Sequence, residues 1–351
     1  MRSARPKPLH LLCGRAMVLY VLDALADCRL DRAVLVVGHG AERITKRLQE
    51  DGPDLIVDFV EQPVQRGTGD ATSVGLTAFP DHLDADLDGG DVLVMPGDTP
   101  LVRPATLVEL VRAHQSSEAA CTILTARFSD PTGYGRVVRG PDGDVVRIVE
   151  EADATPAERE IDEVNTAIYC FRRGLLAPAL RRLVPENALG EYYLTDVVEV
   201  LAEAGYRVDA LTAADHLEVH GVNDRAQLAV AEAELRRRTN RRWMQAGVTM
   251  LDPDRTYIDA TVELSTDVTV FPGTVLAGRT VVGQRCEIGP DTRLVDCMVG
   301  SDAVVEHSVG RDAEVGPDAV VGPFAVLEAG AQVPAGGRIG PFEVGRSSDD
   351  A

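Results

Sequence analysis

Positive charge is in short supply in this 351-residue chain: 35 Lys and Arg stand against 56 Asp and Glu, a formal net charge of −21. A chain so acidic repels nucleic acid and anionic membrane, so neither is expected as a partner. An anionic substrate would have to be held by local cations or backbone amides. Long apolar runs are missing too. None approaches the ~18 residues of a membrane span, and no signal peptide opens the sequence, which predicts a cytoplasmic protein. The six cysteines (Cys13, Cys28, Cys121, Cys170, Cys286, Cys297) form no CxxC pair. That spacing argues against a disulfide framework and for reduced core thiols. The seven histidines show no HExxH or comparable ligand spacing, so no structural zinc is expected. What is present is ordinary globular composition, 45% apolar and 26% charged, with length for about two domains.

Up to residue 222 the pattern alternates strand and helix. Ala33-Val34-Leu35-Val36-Val37, ended by Gly38, reads as a strand buried on both faces. Leu55–Val60, Cys121–Leu124 and Val164–Phe171 read as further strands. Pro104 opens a helix with Leu107, Leu110 and Val111 on one face. Val137-Val138 and Val145-Val146 flank Pro141-Asp142-Gly143, a hairpin signal, and Thr195 is placed to N-cap a helix that ends before Gly205. Such alternation predicts a doubly wound, mostly parallel, Rossmann-like α/β sheet. Residues 223–247 read as a solvated linking helix. Its Arg236, Arg237, Arg238, Arg241 and Arg242 complement the helix dipole and are not read as a nucleic-acid site.

After Gly247 the apolar period becomes six. Ile258, Leu264, Val270, Leu276, Val282, Ile288 and Leu294 keep it, a slip passes through Val299 and Val305, and Val309, Val315, Val321, Leu327, Val333 and Ile339 resume it. Neither a helix nor an ordinary strand ladder repeats this way. A parallel β-helix does, with one inward residue per flat face and roughly four to five coils.

The sharpest chemical signal lies at 91–101, where an apolar run passes into Pro96-Gly97-Asp98-Thr99-Pro100-Leu101. A strand there delivers one carboxylate to the carboxyl edge of a sheet, where ligands of α/β folds bind. Asp98 suits a Mg²⁺–phosphate site, since that hard ion takes one or two carboxylates plus substrate phosphates. It equally suits a turn that caps the next helix.

Further segments carry a resemblance: Pro6-Lys7-Pro8-Leu9-His10, Gln65-Arg66-Gly67-Thr68-Gly69, Asp130–Arg136 with Gly133-Tyr134-Gly135, Ile148-Val149-Glu150, Glu163-Val164-Asn165-Thr166, Glu191–Asp196 and Gly221-Val222-Asn223. Together with the period of six, they resemble the bifunctional UDP-N-acetylglucosamine pyrophosphorylase/glucosamine-1-phosphate N-acetyltransferase family of bacteria. The resemblance implies a nucleotidyltransferase domain over 1–222, a helical linker over 223–247, a left-handed β-helix over 248–345 and a tail over 346–351. It implies a homotrimer built through the β-helix, and synthesis of UDP-N-acetylglucosamine and pyrophosphate from UTP and N-acetylglucosamine-1-phosphate. By the same resemblance Asp98 and Asn223 hold Mg²⁺, and Lys7 neutralises phosphate charge. Gln62, Gly67 and Thr68 read uracil; Gly135, Glu150 and Asn165 hold the sugar and its N-acetyl group.

Each residue also has a plainer reading. Lys7 could be a surface lysine, though prolines on both sides fix its backbone. Glu150 or its neighbour Glu151 could be a solvated strand end. Gly135 could serve only its turn, and Asn223 could cap the following helix. Asn165, inside an apolar strand, needs buried partners whether or not they are ligands. Tyr134, Tyr192 and Tyr193 read as walls and packing.

Two departures from the family pattern set further expectations. The family opens with a strand and a loop of the form L-A-A-G-x-G-T-R, whose amides cradle phosphates; Met1-Arg2-Ser3 matches what would follow that Arg, so translation is expected to begin upstream. In the later coils, Leu327-Glu328-Ala329-Gly330 replaces L-R-P-G, and Glu343–Ser347 stands where a lysine segment is expected. The repeats hold one histidine, His307, at the slip, and it reads as a loop residue, so acetyl transfer is expected to be lost. Two other functions stay open: a catalytically silent nucleotide-sugar-binding scaffold or regulatory subunit, and a nucleotidyltransferase using dTTP with glucose-1-phosphate.

Overall fold

A computed structural model describes residues 1, 3–38, 41–52, 55–79 and 90–346. They form two compact units: Met1–Leu9 with Met17–Asp224, and His10–Ala16 with Arg225–Ala351.

In the second unit, a hairpin of β1 (Leu11–Leu12) and β2 (Arg15–Ala16) joins the material after Asp224. The first unit contains strands β3 (Ala33–Val37), β4 (Val57–Glu61), β5 (Asp91–Val94), β6 (Cys121–Arg127), β7 (Arg136–Arg139), β8 (Val145–Val149), β9 (Glu163–Arg172) and β10 (Val208–Thr212). Its helices are α1 (Met17–Ala26), α2 (Ala41–Asp51), α3 (Thr68–Leu76), α4 (Pro104–Ser116), α5 (Pro156–Arg159), α6 (Arg173–Leu180) and α7 (Asp196–Glu203). The main sheet runs β10-β6-β9-β7-β8, and β5 pairs with β9. β10 lies parallel to β6, whereas β9 runs antiparallel to both β5 and β6. Strands β6 and β9 are buried almost throughout and form the centre of the core with Leu107, Leu110, Leu176 and Val197.

β3 and β4 form a separate parallel pair. This corrects the expectation that Ala33–Val37 is buried on both faces: Val34, Leu35 and Val36 are half-buried. Periodicity reports which residues seek burial, but their cover depends on neighbouring strands. A second correction concerns Thr195. It stands at the N-cap of α7 with helical backbone angles (φ −58°, ψ −32°) and makes no side-chain capping bond, so it is not in the extended conformation that a capping Ser or Thr adopts.

The second unit begins with α8 (Arg225–Gln245) and continues through short strands from β11 (Thr249–Met250) to β27 (Val344–Gly345). Those strands stack into three parallel sheets of six, six and five. This is the left-handed parallel β-helix expected from the hexapeptide period. Its axis is filled by one residue per face, including Ile258, Leu276, Val282, Ile288 and Leu294. Several corners carry Asp in the left-handed region, among them Asp267, Asp291, Asp302 and Asp318; Asp tolerates that conformation because its short polar side chain bonds locally.

The helix expected to be a solvated linker packs as part of this unit. Asn240 is buried, and its Nδ2 donates to Pro253 O at 2.8 Å and Thr256 O at 2.9 Å. The Arg236 guanidinium lies 4.7 Å from the Tyr257 ring centre, and Arg237 and Arg238 pair with buried Glu234. The hairpin is held in the same way, with Cys13 N donating to Glu232 Oε2 at 2.8 Å.

The repeat register also needs one correction. Leu294 pairs with Gly310, not with Val309, and Val309 is 48% exposed while Gly310 is buried. The steps from Val305 to Gly310 and from Gly310 to Val315 are five residues instead of six, which makes Gly310 the inward residue. A Cβ on Gly310 would lie 3.0 Å from Leu294 Cδ2 and 3.3 Å from Cys297 Sγ. Gly310→Val is therefore expected to destabilise this unit by about 1–3 kcal/mol through overpacking. Val309→Thr should change stability by less than about 0.5 kcal/mol, as exposed sites do. Urea unfolding of the two variants measures the difference, and the reverse order would put Val309 back on the axis.

Candidate active site

Three segments far apart in sequence meet in the first unit. Lys7 sits in a single turn of 3-10 helix, Lys7–Leu9, between its two prolines. Asp98 follows β5 in a turn, and Asn223 lies just before α8. The Lys7 ammonium forms an ion pair with the Asp98 carboxylate and donates to Asn223 Oδ1 at 2.7 Å. Val222 N donates to Asp98 O at 2.9 Å, so backbone as well as side chains holds the 98 and 223 loops together. Gly221 leaves room at this junction: a Cβ there would lie 3.9 Å from both Asp98 Oδ1 and Asn223 Nδ2.

Among the described residues, no group of three or more His, Cys, Asp or Glu side chains is placed to hold a metal. Asp98 and Asn223 nevertheless offer one carboxylate and one amide oxygen that already converge on a cation, the Lys7 ammonium. That donor set fits a hard divalent ion completing its shell with phosphate oxygens and water. Lys7 and Lys46 are the only lysines in the chain.

The segment around Gly67 is fastened to the segment around Tyr192. Tyr192 N donates to Arg66 O at 2.8 Å, Gly69 N to Tyr192 O at 2.8 Å, and Leu194 N to Thr68 Oγ1 at 3.0 Å. Gly67 has φ +110°, and a Cβ there would come within 2.5 Å of Tyr192 O. Only glycine suits this close approach. Gln62 is buried at the end of β4, and its Nε2 donates to Asp70 Oδ2 at 2.7 Å, which orients the amide.

Gly135, Glu150 and Asn165 also converge. Asn165 N donates to Gly135 O at 2.8 Å, and a Cβ on Gly135 would lie 3.3 Å from Glu150 Oε2 and 3.5 Å from Asn165 Cβ. β9 breaks register against β6 at this point, and Ala167 adopts φ +60°. Its N–H donates to Asn165 Oδ1 at 3.0 Å. Bulges of this kind re-aim side chains near functional sites. The two adjacent glutamates separate cleanly. Glu151 pairs with the buried Arg136 guanidinium at 2.8 Å, and its carboxyl is held below the usual range by that hydrogen bond. Glu150, with Asn165, Thr68, Lys7 and Thr195, lines a cavity of about 1270 Å³. Burial pushes its carboxyl up, offset in part by the Thr195 hydroxyl.

The Nucleotidyl transferase family profile matches residues 2–247. The chain belongs to this family. It is 46% identical over 313 residues to "Bifunctional protein GlmU" of Thermobifida fusca, covering 89% of this chain and 64% of that protein. It is 47% identical over 315 residues to the protein of the same name from Mycolicibacterium vanbaalenii, covering 89% and 63%. The chain thus spans a little under two thirds of the length of these relatives.

Two features beside the candidate site were not assigned by sequence reasoning, apart from Tyr134 as packing. Phe128, Tyr134 and His220 pack together behind the Asn223 loop, with ring centres 4.8 Å apart for Phe128–Tyr134 and 5.5 Å for Phe128–His220. Nothing local marks Phe128 or His220. The other is Asp196, beside the Glu150 cavity. Its carboxyl is pushed up to about 6 by burial, with Glu199 and Asp153 adding repulsion. A carboxyl raised on folding binds its proton more tightly in the native state, so its contribution to stability falls as pH rises from about 4 to about 6 and then levels off. Asp196→Asn is therefore expected to gain stability relative to the parent across that interval, read as thermal midpoints from pH 4 to 8. A difference that does not change with pH would refute this.

Proposed function

We propose that the first unit is a Mg²⁺-dependent uridylyltransferase that forms UDP-N-acetylglucosamine and pyrophosphate from UTP and N-acetylglucosamine-1-phosphate. The observation that carries this reading is the convergence of Asp98, Asn223 and Lys7. In the reaction, a sugar-phosphate oxygen bonds to the α-phosphorus. The bond from that phosphorus to the β-phosphate's bridging oxygen breaks, and pyrophosphate leaves with the electron pair. Such chemistry asks the protein for alignment and charge neutralisation, not for a covalent intermediate.

Asp98 and Asn223 would hold the Mg²⁺, which when bound supplies charge neutralisation at the phosphates. Lys7, as a compact point cation on a flexible stem, would then turn from Asp98 to the phosphate oxygens. Gln62, with its Nε2 committed to Asp70, would present its carbonyl to the uracil N3–H, flanked by Gly67 and Thr68. Gly135 would let the sugar ring approach the backbone. Glu150 would accept from its hydroxyls, and Asn165 would donate through Nδ2 to the N-acetyl carbonyl.

The β-helix would serve assembly as a trimer. Acetyl transfer is not part of the proposal. The silent-scaffold reading has one observation in its favour: the Lys7 ammonium occupies the position between the two cation-binding oxygens.

Pyrophosphate release by the protein extended upstream of Met1, so that it includes the expected first strand and phosphate loop, tests the proposal; the 351-residue chain alone is expected to turn over little or not at all. Turnover with UTP and N-acetylglucosamine-1-phosphate should require Mg²⁺ and vanish on chelation. Asp98→Asn should lower kcat by about 10²–10³, the usual cost of removing a group that stabilises transition-state charge. Binding of UDP-N-acetylglucosamine without turnover would assign the scaffold instead, and faster turnover of dTTP with glucose-1-phosphate would overturn the substrate assignment.

A further inference from the structure

Gln62 lies at the carboxyl edge of the parallel β3–β4 pair, one step beyond β4, where its N–H donates to Val37 O at 2.8 Å. Ligands of α/β sheets bind at that edge. The stretch that follows carries Gln65 and Thr68, both of which line the cavity of about 1270 Å³. The Gln62 side-chain amide meets two acceptors. Its Nε2 donates to Asp70 Oδ2 at 2.7 Å and to Gly67 O at 3.4 Å. Among the described residues its Oε1 accepts no hydrogen bond.

A primary amide can turn over and exchange its donor and acceptor faces, so its neighbours decide which face a ligand meets. An ionised carboxylate and a carbonyl oxygen only accept. Turning Gln62 over would set Oε1 against both of them. Nε2 is thereby confined to the Asp70 side, and Oε1 is the group left for a ligand.

The two acceptors are unequal. Gly67 O is near the limit of hydrogen-bond length, whereas Asp70 is close and charged, and charge-assisted bonds are the stronger kind. Asp70 sits in the first turn of α3, where the helix dipole favours its ionised form. The consequence is selection at the base. Uracil and thymine carry an N3–H donor, while cytosine has a bare N3 that accepts. Two acceptors brought face to face both lose their partners, which is how a polar site rejects the wrong ligand.

We propose that Asp70 is a positioning residue that makes the site select pyrimidine nucleotides bearing N3–H over cytidine nucleotides, by fixing which face Gln62 presents. Asp70 acts through that amide and not on the reacting atoms. The inference rests on the proposed placement of the base against Gln62, and is independent of the sugar phosphate used.

The test compares dissociation constants for UTP and CTP, measured by calorimetry with Mg²⁺ on the protein extended upstream of Met1. The parent should favour UTP by about tenfold or more. Asp70→Ala frees the amide to turn, so binding of UTP should weaken, binding of CTP should tighten, and the preference should fall to within about threefold of none. A loss of stability alone would leave the ratio of the two constants unchanged. Adding Gln62→Glu to Asp70→Ala supplies a side chain that accepts from either face and needs no orienting, so the preference for UTP should return. An unchanged ratio in Asp70→Ala, equal weakening of both nucleotides, or no recovery in the double variant would overturn the role of Asp70 and leave the uridylyltransferase reading standing. A parent that binds neither nucleotide, or both alike, would overturn the two together.

Discussion

One ammonium group holds together three segments that the chain keeps far apart. Lys7 meets Asp98 and Asn223 at once, and the Val222–Asp98 backbone bond closes the same junction. The ion pair is partly solvated, with the Lys7 side chain 33% exposed, so its contribution to stability is modest, about 1 kcal/mol or less. Its importance is positional. It sets an anionic and an amide oxygen side by side at the carboxyl end of β5, in a protein whose net charge would otherwise repel a triphosphate. Remove the lysine, and the two oxygens lose the cation that draws them together.

The rest of the site follows from similar long-range fastening. The Gly67 segment owes its shape to Tyr192, whose carbonyl leaves no space for a side chain there. The Gly135–Glu150–Asn165 group depends on a register break in β9, which turns an apolar strand into the support for a buried amide. At Gly67 the distant Tyr192 segment satisfies the neighbouring backbone groups, whereas at Ala167 the nearby Asn165 side chain does so.

The solenoid illustrates how far pattern reading reaches. A period of six identified a parallel β-helix without any partner information, because each inward residue must reappear at the same face. The reading failed at Val309, where the shortened coil moves the inward position to Gly310. Hydrophobicity favoured valine on the axis, but steric fit against Leu294 and Cys297 favours glycine there. The arginine cluster of α8 was likewise read from local charge alone, and its partners Glu234 and Tyr257 became visible only on folding.

By itself the sequence determined an α/β part followed by a parallel β-helix, since periodicity and turn chemistry are local properties; that residues 10–16 group with the β-helix part and not with the first unit was not legible in it. Tertiary structure alone decided which glutamate of the Glu150–Glu151 pair faces the cavity and that Thr195 is not a cap. It also decided that β3 and β5 line the same cavity. Those outcomes depend on which groups meet across hundreds of residues, and burial, pairing and close approach have no value until the chain has brought both partners to the same place.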